Sequence, residues 1–155
     1  MISVDFLRTC ELFSGLSDEE LAQVAAIACV QAYEAGDVIC GEREDADRLF
    51  ILYEGRVQVQ IRLHSLLEPG GEATIEEVVP GRIFGWSSLV RQRQFTASAR
   101  GLCPGQVVVI RAGDLNALFD RNAHIGFVVM KQLADVIASR LRHTREACEQ
   151  AVTAG

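Results

Sequence analysis

The spacing of apolar residues changes period along this chain, and each change predicts a new kind of element. In 4–11, Phe6, Leu7 and Cys10 fall at helical spacing, and the chain then turns on Gly15. Ser17-Asp18-Glu19-Glu20 has the form of a capping box, and Leu21, Val24, Ala25 and Ala28 follow at i, i+3, i+4 and i+7. That pattern predicts an amphipathic helix. From Val30 the spacing becomes that of strands. Two short strands, 30–33 and 38–40, flank Gly36-Asp37, a charged loop covers 42–47, and 49–53 is a dense apolar strand. Glu54-Gly55 is a hairpin signal. Beyond it Val57, Val59 and Ile61 alternate with Arg56, Gln58, Gln60 and Arg62. Residues 66–72, with Pro69-Gly70-Gly71, read as a mobile hairpin tip, and 74–79 as the returning strand. Pro80-Gly81 turns into Arg82-Ile83-Phe84-Gly85-Trp86-Ser87-Ser88-Leu89-Val90, 95–99 reads as a strand, and Pro104-Gly105 leads into the buried strand 106–111. Short strands bounded by glycine turns predict an antiparallel sandwich or roll.

The end of the chain is helical. Asp114 begins a short helix carrying Leu115, Leu118 and Phe119, and Asn122 caps a long helix running to about Ala151. On that helix Met130, Leu133, Ile137, Leu141, Thr144, Cys148 and Ala151 form a stripe close to a heptad seam, with Lys131–Asp135 and Arg142–Glu146 supporting the outer face. One small roll cannot cover so long a helix, and the stripe narrows to Thr, Cys and Ala. Both features predict a homodimer formed through the 122–151 helix.

Composition narrows the class. The 155 residues are 49% hydrophobic and 23% charged, which suits one well-buried domain over 1–155. A net charge of −6 argues against direct binding of a nucleic-acid backbone. Residues 11–47 hold ten acidic side chains against Arg43, read as a solvated face. The five cysteines, Cys10, Cys29, Cys40, Cys103 and Cys148, include no CxxC and mostly have apolar neighbours, as free thiols in a reducing compartment do. With no signal pattern and no apolar run near the roughly 18 residues of a membrane span, a cytoplasmic protein without membrane contact is expected. His64, His124 and His143 lack metal-ligand spacing, so neither metal nor haem is expected. No nucleophile–base pair or P-loop glycine run is present, so no enzymatic activity and no catalytic residue is expected.

The candidate site is the central stretch. Gly85 permits a sharp turn, Ser87 and Ser88 suit the start of a short helical turn whose free N–H groups favour anions, and the 95–99 strand returns past it. Phe84, Gly85, Trp86, Ser87, Ser88, Phe95, Thr96 and Ala97 are the candidate ligand-binding residues.

The chain resembles the cyclic-nucleotide-binding domain of the CRP/FNR superfamily of bacterial sensors, from about Leu7 to Arg145. The residues that carry the resemblance are Leu12-Phe13-Ser14-Gly15-Leu16-Ser17, Gly36-Asp37-Val38-Ile39, Asp45-Ala46-Asp47-Arg48-Leu49-Phe50-Ile51-Leu52, Gly55-Arg56-Val57-Gln58-Val59, Pro80-Gly81 and Phe84-Gly85. The resemblance implies an eight-stranded antiparallel β-roll of jelly-roll type, helices at both ends and a C-terminal dimerisation helix. In the family's phosphate-binding cassette, a Glu after Phe-Gly accepts from the ribose 2′-OH, and an Arg further on pairs with the cyclic phosphate. Here those positions hold Trp86 and, after a one-residue gap in the loop, Phe95, while the neighbouring hydroxyl survives as Thr96.

Three readings follow: a sensor for a flatter, less charged effector than cAMP or cGMP; a ligand-free module that engages a partner protein; and the effector domain of a transcription regulator that binds cAMP or cGMP. Superfamily regulators usually continue into a helix-turn-helix, for which this chain has no room, so it is either a stand-alone sensor or a domain of a longer regulator. The sensor reading expects an open, partly polar cavity behind Trp86. The ligand-free reading expects Trp86 and Phe95 packed against each other with none.

Overall fold

The computed structural model describes residues 2–64, 69–91 and 93–154. Helices α1 (Val4–Thr9) and α2 (Asp18–Ala26) precede the strands β1 (Ala28–Tyr33), β2 (Val38–Cys40), β3 (Arg48–Glu54), β4 (Val57–His64), β5 (Pro69–Val78) and β6 (Ile83–Phe84). A 3-10 turn (Trp86–Leu89), strands β7 (Ser98–Gly101) and β8 (Gly105–Arg111), and helices α3 (Ala112–Arg121) and α4 (Ala123–Ala154) complete the chain. The strands form two four-stranded antiparallel sheets, ordered β1-β8-β3-β6 and β2-β7-β4-β5. This is the eight-stranded β-roll that the sequence resemblance implies.

The apolar runs in β3 and β8 are continuous because both faces of these strands are covered. Leu49, Ile51, Val108 and Ile110 pack with Ile83 into a cluster shared with the helices, including Leu7, Leu21, Leu115, Ile125 and Val129. Their alternates Phe50, Leu52, Val107 and Val109 join Val57, Val78, Phe84 and Phe95 in a second cluster inside the roll. Period-two alternation therefore divides one sheet between two cores.

Local signals place the helices. Ser17 Oγ accepts from Glu20 N–H at 3.2 Å and Glu20 Oε1 accepts from Ser17 N–H at 3.1 Å, closing the capping box. Asn122 Oδ1 accepts from His124 N–H at 3.2 Å and Ile125 N–H at 3.3 Å, starting α4.

Several expectations are corrected. Ala28 leaves α2 and opens β1, because pairing Ala28 with Ile110 satisfies its backbone on the sheet. Pro69-Gly70-Gly71 lies in β5 and not in a hairpin tip, while 65–68 fall outside the described residues. Phe95–Ala97 precede β7 and do not form its start. There Phe95 N–H donates to Glu44 O and Arg43 N–H to Phe95 O, both at 2.9 Å, so the segment is held across the charged loop. The ion pairs of the described residues do not include Lys131–Asp135 or Arg142–Glu146; on the outer face Arg145 meets Glu149 at 3.4 Å.

The cysteines are less uniformly buried than expected. Cys10 and Cys40 are buried, whereas Cys29 and Cys148 are exposed. Burial pushes the Cys10 and Cys40 thiols up to about 12. Iodoacetamide at pH 8 should therefore alkylate Cys29 in the folded chain and reach Cys10 and Cys40 only after denaturation, as read by peptide mass spectrometry. Rapid native labelling of Cys40 would contradict this packing.

Candidate functional site

The cassette is shaped by Gly85. It adopts φ +73°, and a Cβ there would lie 2.9 Å from Phe50 Cδ2 and 3.2 Å from Phe95 Cε1. Only a residue without a side chain fits both demands. From this point the chain enters the 3-10 turn, where Ser88 N–H and Ser88 Oγ both donate to Gly85 O, at 3.4 and 3.0 Å. The turn has four residues, and the Ser88 amide proposed for an anion is already used within it.

A cavity of about 80 Å³ lies behind the turn, bounded by Phe84, Gly85, Trp86, Ser87, Phe95 and Thr96, with Ala97 and Cys40 also on its wall. Seven of the eight sequence-derived site residues meet here. Ser88 does not line the cavity, since its hydroxyl points back to Gly85 O.

The two aromatic replacements take separate roles. Phe95 is 3% exposed and belongs to the inner cluster, its ring centroid 6.3 Å from that of Phe50, which stacks on Phe84 at 5.1 Å. Trp86 packs at the edge of the helix-side cluster, with the Arg140 guanidinium 4.9 Å from its ring centroid. The rings are therefore not packed as a pair that seals the pocket, and the cavity persists between them.

Arg140, on α4, escaped sequence reasoning. Its side chain is 12% exposed, and its Nε donates to Glu76 Oε1 at 2.6 Å while Nη2 donates to Ile83 O at 3.1 Å. Glu11 completes the group, with Oε1 3.4 Å from Arg140 Nη1 and Oε2 accepting from Ile83 N–H at 3.2 Å. Burial pushes the Glu11 carboxyl above its ordinary range, and Arg140 opposes that shift. One guanidinium thus joins α4 to β5, β6, the turn after α1 and the cassette tryptophan.

Comparison with known proteins assigns the family. Residues 30–122, more than half of the chain, match the family model for the cyclic nucleotide-binding domain, and the chain belongs to that family. Its solved relatives include a cyclic nucleotide-binding protein from Geobacter metallireducens GS-15, so described with reservation, 36% identical with TM-score 0.76 over 91% of this chain and 99% of the other. The N-terminal domain of a transcriptional regulator from Streptomyces coelicolor A3(2) is 27% identical, with TM-score 0.72 over 92% and 96% of the two chains. These neighbours place the domain with those of CRP/FNR-like regulators, whose role is regulatory binding. The cGMP-dependent protein kinase isozyme 1 of Drosophila melanogaster is 31% identical over 103 residues, 66% of this chain. The chain spans 13% of that kinase's length. Among the described residues no helix is long and apolar enough to cross a membrane, and no three His, Cys, Asp or Glu side chains gather as a metal site.

Proposed function

We propose that this domain is a non-enzymatic, cytoplasmic sensor whose effector is flatter and less charged than a cyclic nucleotide. The observation that carries the reading is Phe95. Its ring occupies the inner core where the family's cassette supplies a cation, yet the cavity between it and Trp86 stays open. A phosphodiester buried against that ring without a cationic partner would cost several kcal/mol. A flat, neutral molecule has no such cost and gains from aromatic contact and from hydrogen bonding at Ser87 and Thr96. cAMP and cGMP are therefore not its effectors on this reading. The lone tryptophan supplies the test, because it lines the pocket. Its emission, with thermal melting alongside, should respond saturably to nucleosides and not to cAMP or cGMP. Silence toward every small molecule tried would overturn the sensor reading and favour a ligand-free module that docks a partner protein.

The sensor acts as a homodimer through α4. Every residue from 141 to 150 is exposed, as are Phe127, Met130 and Leu141, whereas Leu133 and half of Ile137 are taken up by the monomer's own core. The seam left open for a second copy runs through Phe127, Met130, Ala134, Leu141 and Cys148, at heptad spacing. Sedimentation should give twice the monomer mass for the wild type and the monomer mass for Leu141→Glu. Leu141 is 69% exposed, so the substitution should cost the monomer little. A monomeric wild type would overturn this assembly.

A further inference from the structure

Each sheet has two edge strands, and three of the four carry a device that discourages further pairing. β2 has three residues and a break in register, and β6 has two residues. β5 carries Glu72, Glu76 and Glu77 and shifts register twice against β4. β1 has none of these. Its six residues, Ala28-Cys29-Val30-Gln31-Ala32-Tyr33, include no charge and no proline, and it pairs with β8 in unbroken register. The backbone groups of β1 that face away from β8 have no partner among the described residues.

The faces of β1 are open as well. Cys29 and Gln31 lie opposite Val109 and Val107 and so face the inside of the roll, yet both are exposed while the two valines are buried. On the other face Val30 is 40% exposed beside the buried Val108. The second sheet therefore stops short of this strand. Unprotected backbone on one edge, flanked by small and apolar side chains, is a template for another strand.

The charges at its two ends say which strand fits. Beside Ala28, Arg48 and Arg111 are opposite each other on β3 and β8 and line a groove of about 560 Å³ with Cys29, Gln31 and Asp114. Asp47 meets Arg48 at 3.0 Å, and Asp114 sits in the first turn of α3, where the helix dipole favours it. Arg111 enters no ion pair among the described residues. At the other end Glu34 and Asp37 are exposed, and the neighbouring Arg100 is directed to Gly36 O at 3.4 Å rather than to either carboxylate. One end of β1 thus offers an unpaired cation and the other an unpaired carboxylate.

We infer that β1 pairs antiparallel with β1 of a second copy, about a two-fold axis at Gln31. Side chains directly opposite share a face, so pairing odd positions with odd keeps the inner faces of both rolls on one side. This register sets Cys29 against the second copy's Tyr33 and Gln31 against its equivalent, and it opposes no like charges. It also carries Arg111 of each copy toward Glu34 of the other, once at each end. A six-residue ladder, about 20 Å long, buries less than a standard interface, so the dissociation constant is on the order of 1 mM. Combined with the α4 seam, the contact joins dimers into open arrays where the protein is concentrated.

Sedimentation of the Leu141→Glu chain separates this contact from the α4 seam. At about 10 μM that chain should be monomeric, and at about 1 mM its average mass should rise by about half. Gln31→Lys, at an exposed position, sets two ammonium groups face to face and should abolish the rise. Arg111→Glu and Glu34→Arg should each weaken association about threefold. The two together should recover it, because the exchanged charges meet only between copies. A Leu141→Glu chain still monomeric at 1 mM overturns the inference, whether β1 stays bare or takes a strand from another protein. A rise that Gln31→Lys leaves unaltered also overturns it, as does a charge exchange that recovers nothing.

Discussion

Replacing Arg140 with methionine is expected to cost about 3 kcal/mol of folding stability, the lower end of the range for breaking a buried ion pair. The substitution leaves Glu11 and Glu76, whose side chains are 18% and 22% exposed, without their shared cation. It also strips the Ile83 carbonyl of a donor and the Trp86 ring of its guanidinium. The loss should depend on pH. With Arg140 gone, nothing at that position opposes the burial that already pushes Glu11 up, so its folded pKa rises further above the unfolded value. A group raised in the folded state contributes most below its unfolded pKa and loses that contribution as pH rises through the folded one. Arg140→Met should therefore regain stability on acidification from pH 7 toward pH 5. Adding Glu11→Gln and Glu76→Gln should restore much of the loss at neutral pH. Urea denaturation across this pH range reads all three outcomes, and a pH-independent loss below about 1 kcal/mol would show that the ion-pair group contributes little net stability.

Gly85→Ala carries the other large penalty, about 2–5 kcal/mol. A left-handed backbone costs an L-residue about 1–2 kcal/mol, and forcing a methyl into a packed core adds about 1–3. The neighbours cannot yield cheaply. Phe50 is stacked on Phe84, and Phe95 is fixed by its backbone bonds to Glu44 and Arg43. The substitution should lower the urea midpoint with an unchanged slope and shift Trp86 emission, because Trp86 is the next residue along the chain. A midpoint within error of wild type would mean that the two rings move aside freely.

The sequence revealed the elements whose signals are local. The Ser17 capping box, the Asn122 cap and the alternation after Gly55 each depend on neighbours a few residues away, and each appears where expected. Ala28 misled because its i+7 position fits α2 as well as it fits β1, and only its pairing with Ile110 decides between them. Seven cassette residues were legible because the turn and the returning segment are close in sequence. Arg140 was not. Its partners Glu76 and Glu11 lie 64 and 129 positions away, so no window on α4 distinguishes this inward charge from a solvated one. The fate of the two aromatic rings was equally hidden. Trp86 and Phe95 enter different clusters because β3 divides its side chains between two cores, which composition does not disclose.

The central claim is that a cassette with Phe95 in place of a cation no longer holds a cyclic phosphodiester. Equilibrium dialysis of the wild-type chain against cAMP and cGMP tests it most directly. The account predicts no saturable binding of either nucleotide in the micromolar range. Saturable uptake of one nucleotide per chain at micromolar concentration would contradict it, and would mean that another group supplies the missing charge.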